Sequence, residues 1–230
     1  MFSLDNRRLY LCVGMREDMT EFLPAVIKGG VDVVQLREKI VPFADQRDTA
    51  LLMASICIDL GVPFVVNDDP TLAISVGADG VHVGQDDLTV AAVRELMGPD
   101  AIVGLSTHAE SEFSEGLATS ATYLSAGPIA ATPTKPGRDG VGISYAVEST
   151  QRSNRPVYVT GGVTAQNVGD YVQAGLRHFV VVRALTEAAK PFNAARELRD
   201  RLDISLQVAG GDPVGDDYRQ EGDAAEDDRD

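Results

Sequence analysis

Eight short apolar runs recur along the chain, and a segment with apolar residues at helical spacing follows each of them. The runs are rich in valine and nearly continuous, which is typical of parallel strands buried on both faces. They cover residues 8–13, 31–36, 63–67, 80–83, 101–106, 122–127, 156–160 and 178–182. Strands that alternate with helices in this way predict a parallel sheet covered by helices.

The intervening segments have the features of helices. Residues 19–30 and 43–61 carry apolar side chains at helical spacing, and both end in glycine, which is common at helix C-termini. Similar patterns cover 69–76, 89–97, 109–118, 165–174 and 191–202. The sixth unit is rich in loop, because residues 127–156 contain only a weak helical pattern near ISYAVEST.

Eight strand–helix units predict a TIM (β/α)8 barrel over residues 1–202, at the small end of the size range of that fold. A doubly wound open sheet is the competing fold, and the number of units favours the barrel. In a TIM barrel the active site lies at the carboxyl ends of the strands. Polar residues at those ends are therefore the candidates for function.

The net charge of the chain is −15, and much of it lies near the C-terminus. Residues 203–230 hold ten acidic residues and two arginines, with few large apolar groups, a composition that predicts a disordered acidic tail. The negative charge of the whole chain also argues against binding to nucleic acid, because phosphates would be repelled.

The sequence predicts a cytoplasmic protein. No apolar run is long enough to span a bilayer, and the first residues lack a secretory pattern. Cys12 and Cys57 lie in apolar runs without metal-ligand spacing, so both are expected to be buried thiols in a reducing compartment. We expect no membrane partner, and a homo-oligomer is compatible with these features.

Cations and carboxylates follow several of the predicted strands. Arg37, Lys39 and Lys135 would converge on one rim, as the binding of a diphosphate requires. Asp68 and Asp87 follow adjacent strands and offer hard oxygen ligands, of which Mg²⁺ takes one or two beside substrate phosphate and water. Together these residues predict a magnesium–diphosphate site.

These patterns also have structural alternatives. Residues 37–39 fit a solvated charge cluster, and Asp68 or Asp69 fits a helix N-cap. His82 and His108 lack metal-ligand spacing. We expect His82 to be a hydrogen-bonded histidine of a buried strand and His178 to be structural.

The glycine-rich loop after the seventh predicted strand indicates a second anion site. Gly161 and Gly162 would expose backbone N–H groups, with Thr164 as N-cap of the next helix. In the loop GPIAATPTKPG, at residues 127–137, the prolines limit the backbone freedom of the threonines between them. Such a loop is suited to holding a few hydrogen-bond donors in place.

Taken together, these segments resemble the thiamine phosphate synthase family over about residues 8–202. The segments that carry the resemblance are QLREK at 35–39, VND at 66–68, GADGVHVGQDDL at 77–88, GLSTH at 104–108, GPIAATPTKPG at 127–137, GGVT at 161–164 and VVRALT at 181–186. QLREK, HVGQDDL and TPTKP are specific as a set.

The resemblance implies a TIM-barrel transferase of thiamine biosynthesis. Such an enzyme joins 4-amino-2-methyl-5-hydroxymethylpyrimidine diphosphate to a thiazole phosphate, either the carboxylate or its decarboxylated form. The products are thiamine phosphate and diphosphate, formed by a dissociative substitution that one Mg²⁺ per subunit assists. The implied partners are these two small-molecule substrates.

The resemblance also implies the site residues. Those for the pyrimidine diphosphate are Gln35, Arg37, Lys39, Asn67, Ser106 and Lys135. Leu36 and Glu38, in the same QLREK segment, are also expected to bind substrate. Those for the thiazole phosphate are Thr132, Pro133, Thr134, Gly162, Val182 and Arg183. The implied metal ligands are Asp68 and Asp87, and catalytic roles are expected for Arg37, Lys39, Ser106 and Lys135.

The sequence departs from the family pattern at four positions. Asp69 stands where many members carry a basic residue, Ala130 and Ala131 replace bulkier residues, and Arg183 replaces a serine. Two rival functions are a thiazole tautomerase-like isomerase and a non-catalytic phosphate-ligand binding protein. Because the diphosphate cations and both acids are present, the sequence favours the synthase.

Overall fold

Eight parallel strands form a closed barrel in the computed structural model, which describes residues 2–131 and 140–210. The strands are β1 (Leu9–Val13), β2 (Val33–Leu36), β3 (Phe64–Asn67), β4 (Gly80–Val83), β5 (Ile102–Thr107), β6 (Tyr123–Ala126), β7 (Val157–Val159) and β8 (His178–Val181). Each strand pairs with its neighbours in sequence, and β1 also pairs with β8. The predicted TIM barrel is confirmed.

Helices lie between the strands. They are α1 (Met19–Lys28), α2 (Phe43–Asp59), α3 (Pro70–Val76), α4 (Val90–Met97), α5 (Glu110–Leu117), α6 (Gly142–Arg152), α7 (Val168–Gln173), α8 (Arg183–Thr186) and α9 (Pro191–Val208). The weak pattern in the sixth unit corresponds to an 11-residue helix, α6. The short helix α8, directly after the last strand, was not predicted.

The strands have two distinct buried faces, which explains their continuous apolar runs. In β1, Leu9, Leu11 and Val13 belong to the core between barrel and helices, whereas Tyr10 points into the barrel. Inside the barrel, Tyr123 and Tyr158 pack edge to face with Tyr10 at ring-centroid distances of 5.1–5.9 Å. This tyrosine layer fills the interior below the carboxyl ends of the strands.

Helix α9 extends beyond the predicted end of the barrel domain. The predicted boundary, between residues 202 and 203, lies inside this helix, which continues to Val208. Leu206 is only 3% exposed and belongs to the core between barrel and helices. Residues 211–230, most of the predicted acidic tail, lie outside the described residues.

Both cysteines are buried, as predicted. Burial raises the pKa of the Cys57 thiol to about 12, so this thiol stays protonated and unreactive at neutral pH. In the part of the chain that the structure describes, no helix is both long enough and apolar enough to cross a membrane.

Candidate active site

A cavity of about 810 Å³ opens at the carboxyl ends of the strands, where the fold predicts the active site. Most of the predicted site residues line it. They are Gln35, Arg37, Lys39, Asn67, Asp68, Asp87, Ser106, Gly162, Val182 and Arg183. The predicted loop residues Thr132, Pro133, Thr134 and Lys135 lie outside the described residues.

Leu36 and Glu38 have side chains that do not line this cavity. Leu36 is 1% exposed and packs in the core between barrel and helices. The Glu38 carboxylate accepts the backbone N–H groups of Lys39 and Ile40 at 3.0 and 3.1 Å. It also contacts the N–H of Met15 at 3.4 Å, so Glu38 ties the loop after β2 to the loop after β1.

Asp68 and Asp87 meet at the rim of the cavity. Burial, and then contact with the Asp87 carboxyl group, raise the pKa of Asp68, although Lys39 Nζ lies 3.1 Å from its Oδ2 and opposes this shift. Two carboxyl groups held this close favour a shared proton or a shared cation.

The donor set fits magnesium. No group of three or more histidine, cysteine or acidic side chains that could hold a metal occurs among residues 2–131 and 140–210. Mg²⁺ binds through one or two carboxylates and completes its octahedron with phosphate oxygens and water. Asp68 and Asp87, beside the cations of the same rim, provide two such carboxylates and leave the remaining ligand positions to phosphate oxygens and water.

Asp69 has the structural role that the sequence left open. Its Oδ1 accepts the backbone N–H of Leu72 at 2.9 Å, and it is the N-cap of α3. Asp68 itself is in the left-handed region, at φ 63°, which is uncommon for a residue other than glycine. The chain therefore assigns one acid to the helix and turns the preceding one toward the cavity.

The inner wall of the cavity is a set of hydrogen-bonded polar residues. His82 contacts Ser106 Oγ through Nε2, at 2.8 Å, and the Tyr123 hydroxyl through Nδ1, at 2.9 Å. The side-chain amide of Gln85 donates to the Ser106 carbonyl at 2.6 Å. As expected, His82 is a hydrogen-bonded strand residue, but it also lines the cavity.

Sequence reasoning missed several residues of this wall. His82, Gln85, His108, Tyr123 and Ser125 line the cavity and were not predicted as site residues. A signal for one of them exists in the run GVHV. Alternate residues of a strand face opposite sides, so a polar residue between two core valines must point into the barrel.

The loop after β7 also reaches the cavity, but without the predicted helix cap. Helix α7 begins after Asn167, so Thr164 is not its N-cap. Instead, the Asn167 side chain accepts the N–H of Thr164 and donates to the carbonyl of Gly162, both at 2.8 Å. These bonds brace a turn in which Gly161 and Gly162 have φ of 111° and 75°. The prediction of Thr164 as N-cap was therefore wrong, and the side-chain amide of Asn167 holds this turn.

Comparisons with known proteins agree on one family. The family model described as "Thiamine monophosphate synthase" matches residues 9–185. The thiamine-phosphate synthase of Acidothermus cellulolyticus is 40% identical over an alignment of 205 residues that covers 87% of this chain and 97% of that protein. The thiamine-phosphate synthase of Gloeobacter violaceus is 39% identical over 85% of this chain, and the matched part is 57% of its length.

Solved structures show the same barrel. A thiamine phosphate pyrophosphorylase from Pyrococcus furiosus has a TM-score of 0.79 and 24% identity, covering 88% of this chain and 98% of that one. A 3-hexulose-6-phosphate synthase has a TM-score of 0.62 and 19% identity, covering 84% of this chain and 99% of that one. At these identities the likeness concerns the fold alone.

Proposed function

The chain belongs to the thiamine monophosphate synthase family, and we propose that it forms thiamine phosphate in the cavity described above. The proposed substrates are 4-amino-2-methyl-5-hydroxymethylpyrimidine diphosphate and a thiazole phosphate, in its carboxylated or decarboxylated form. In the proposed reaction, the bond between the pyrimidine methylene carbon and the diphosphate oxygen breaks. A bond from the same carbon to the thiazole nitrogen forms.

The observation that carries this proposal is the acid pair with its neighbouring lysine. Asp68 and Asp87 line the same cavity, burial and then Asp87 raise the pKa of Asp68, and Lys39 Nζ lies 3.1 Å from Asp68 Oδ2. They would hold Mg²⁺, which when bound supplies positive charge to the leaving diphosphate. A site for phosphate alone would not need this combination of two acids and cations.

The residues of the cavity then stabilise the leaving group. Arg37 and Lys39 lie on one side and can bind diphosphate oxygens, while Lys135 is proposed to complete this set of cations. The amino group of the pyrimidine stabilises the positive charge that develops at the methylene carbon. Catalysis therefore depends on position and electrostatics, and a strong general base is not required.

The thiazole phosphate is proposed to bind on the opposite part of the rim. Gly162, Val182 and Arg183 line the cavity there, and the Gly161–Gly162 turn offers backbone N–H groups to an anion. Thr132 and Thr134 are proposed to bind the same phosphate. In the proposed reaction the thiazole nitrogen then approaches the pyrimidine carbon from the side opposite to the leaving diphosphate.

Diphosphate release tests the proposal. The assay compares both substrates together, each substrate alone, and both substrates with EDTA. We expect release only when both substrates and Mg²⁺ are present. Conversion of the thiazole phosphate alone into an isomer would identify an isomerase. Binding of the thiazole phosphate without any turnover would identify a binding protein, and either result would refute the synthase proposal.

A further inference from the structure

A continuous chain of hydrogen bonds joins the tyrosine layer inside the barrel to the floor of the cavity. The hydroxyl groups of Tyr10 and Tyr123 lie 2.9 Å apart, and Tyr123 contacts His82 Nδ1 at 2.9 Å. His82 Nε2 lies 2.8 Å from Ser106 Oγ, and the Ser125 hydroxyl donates to the same oxygen at 3.5 Å. The chain thus ends at a hydroxyl group on the cavity wall.

The barrel is built to allow this contact. His82, Gly104 and Tyr123 are register partners on the neighbouring strands β4, β5 and β6. A Cβ atom at position 104 would lie 2.1 Å from the Tyr123 ring and 2.4 Å from His82 Nδ1. The glycine of the middle strand therefore leaves the space in which the two side chains meet, with their rings stacked at 5.5 Å.

The direction of the hydrogen bonds decides what Ser106 offers to a ligand. A neutral imidazole has one donor and one acceptor nitrogen. If the Tyr123 hydroxyl donates to Nδ1, then Nε2 carries the proton and donates to Ser106. With the Nε2 proton and the Ser125 hydroxyl both donated to Ser106 Oγ, the hydroxyl proton of Ser106 is directed toward the cavity. In the opposite direction, Ser106 donates to His82 and presents only lone pairs.

The tyrosines favour the first direction. Tyr10 is 2% exposed, and among the described residues its hydroxyl is hydrogen-bonded to the Tyr123 oxygen at 2.9 Å. A buried phenol that only accepted there would leave its own proton without a partner, so Tyr10 donates to Tyr123. Burial raises the pKa of Tyr10. Burial also raises the pKa of Tyr123, so both phenols keep their protons at neutral pH. When Tyr10 donates to Tyr123, the Tyr123 proton points to His82.

We propose that Tyr123 and His82 are positioning residues that hold the Ser106 hydroxyl as a hydrogen-bond donor toward an oxygen of the bound diphosphate. This inference rests on the proposed function, because a Ser106 hydroxyl that donates toward the cavity is favourable only when the bound ligand is an anion. Tyr123 acts through His82, whose ring lies between the Tyr123 hydroxyl and Ser106 Oγ. A serine that presented lone pairs to the diphosphate would repel it.

The three tyrosines of the layer supply a test with a matched control. Tyr123→Phe removes one hydroxyl from the series of hydrogen bonds that leads to Ser106. Tyr158→Phe removes a hydroxyl outside this series, which donates to the Arg7 carbonyl at 2.7 Å. Both rings lie in the same buried cluster. We expect Tyr123→Phe to lower kcat for diphosphate release about tenfold, since it removes one oriented hydrogen bond. Tyr158→Phe should leave kcat unchanged, and the melting temperatures of the two variants should agree.

A double-mutant cycle distinguishes positioning from a general loss of structure. In the background of Ser106→Ala, Tyr123→Phe should cause no further loss of kcat, because its effect passes through the missing hydroxyl. An equal loss in both backgrounds would overturn the inference. So would a Tyr123→Phe variant with the turnover of the wild type. If the wild type releases no diphosphate, the proposed function fails instead.

The tautomer of His82 gives a readout that does not depend on turnover. Nitrogen-15 spectra of the wild type with Mg²⁺ and inorganic diphosphate should show a protonated Nε2 and an unprotonated Nδ1. The His82→Gln spectrum assigns the signals, and Tyr123→Phe should lose this preference. A proton on Nδ1 in the wild type with diphosphate bound would overturn the inference.

Discussion

At the scale of single residues, the chain divides two adjacent acids between two tasks. Asp69 caps α3 through its side chain, while the left-handed backbone at Asp68 turns that carboxylate toward Lys39 and Asp87. A rule based on residue type alone cannot separate the two, since both are aspartates after the same strand. The acidic departure at position 69 is thereby explained by the helix it caps.

The metal proposal predicts different effects for two aspartate substitutions. Asp87→Asn removes one carboxylate of the pair, so the Mg²⁺ concentration for half-maximal turnover should rise about tenfold or more. The matched control is Asp69→Asn, in which the amide oxygen can still cap α3. Its Mg²⁺ titration should match the wild type. An unchanged titration for Asp87→Asn would remove Asp87 from the metal site.

His178 predicts that stability depends on acidity. Burial, and then the charge of Arg8, lower the pKa of His178 from 6.5 to about 4. The unfolded chain therefore binds more protons between these values, and the folded state loses up to about 3 kcal/mol as the pH falls from 6.5 to 4. His178→Gln should flatten this slope of unfolding free energy against pH. A slope equal to that of the wild type would contradict the prediction.

At the scale of elements, two adjacent glycines after β7 differ in what surrounds them. Both Gly161 and Gly162 have positive φ, so alanine is strained at either position. At Gly161 a Cβ would also lie 2.6 Å from the backbone nitrogen of Ile129, whereas at Gly162 it would meet no atom within 4 Å. The pair therefore separates backbone strain from packing.

We expect Gly162→Ala to cost about 1 kcal/mol of unfolding free energy, the size of a backbone penalty. Gly161→Ala should cost about 1–3 kcal/mol more, because the methyl group pushes the β7 loop away from the chain after β6. Urea denaturation of the two variants measures the difference. Equal losses would show that the loops after β6 and β7 are not packed tightly together.

The strands were predictable because burial on both faces leaves a plain signal. All eight apolar runs correspond to strands, with ends that differ by at most two residues. Helix α8 was missed because four residues are too few for a periodic pattern. The start of α7 was misplaced because a turn braced by Asn167 precedes it, and a threonine before a helical pattern looks like a cap.

The site was predictable only where polar residues follow a strand. Arg37, Lys39, Asp68 and Asp87 stand out because they interrupt apolar runs at the expected end of the barrel. His82 and Tyr123 lie within strands, and their meeting requires the register of three strands and a glycine between them. Such a contact is set by tertiary structure and leaves no local pattern.

At the scale of the whole molecule, the C-terminal helix predicts where the chain can be shortened. A chain ending at residue 210 removes only the acidic segment and should keep the melting temperature and activity of the wild type. A chain ending at residue 202 also lacks Leu206, a buried core residue, and its free energy of unfolding should be lower by about 2 kcal/mol or more. Calorimetry should then show a drop of at least about 5 °C. Equal melting temperatures would place the last turns of α9 outside the core.

Because β1 pairs with β8, every strand of the barrel has a neighbour on both sides, including the first and the last. Helix α9 lies against α1, where a Cβ at Gly29 would be 2.6 Å from that of Ala195, and Arg199 forms an ion pair with Asp32 at 2.7 Å. The first and last helices are therefore neighbours, and a linker could join the two ends of the barrel. A circular permutant opened at the turn near Gly98, between α4 and β5, would keep every strand pair and every rim residue in place. The strand pairs of the closed barrel therefore do not depend on which strand–helix unit comes first along the chain.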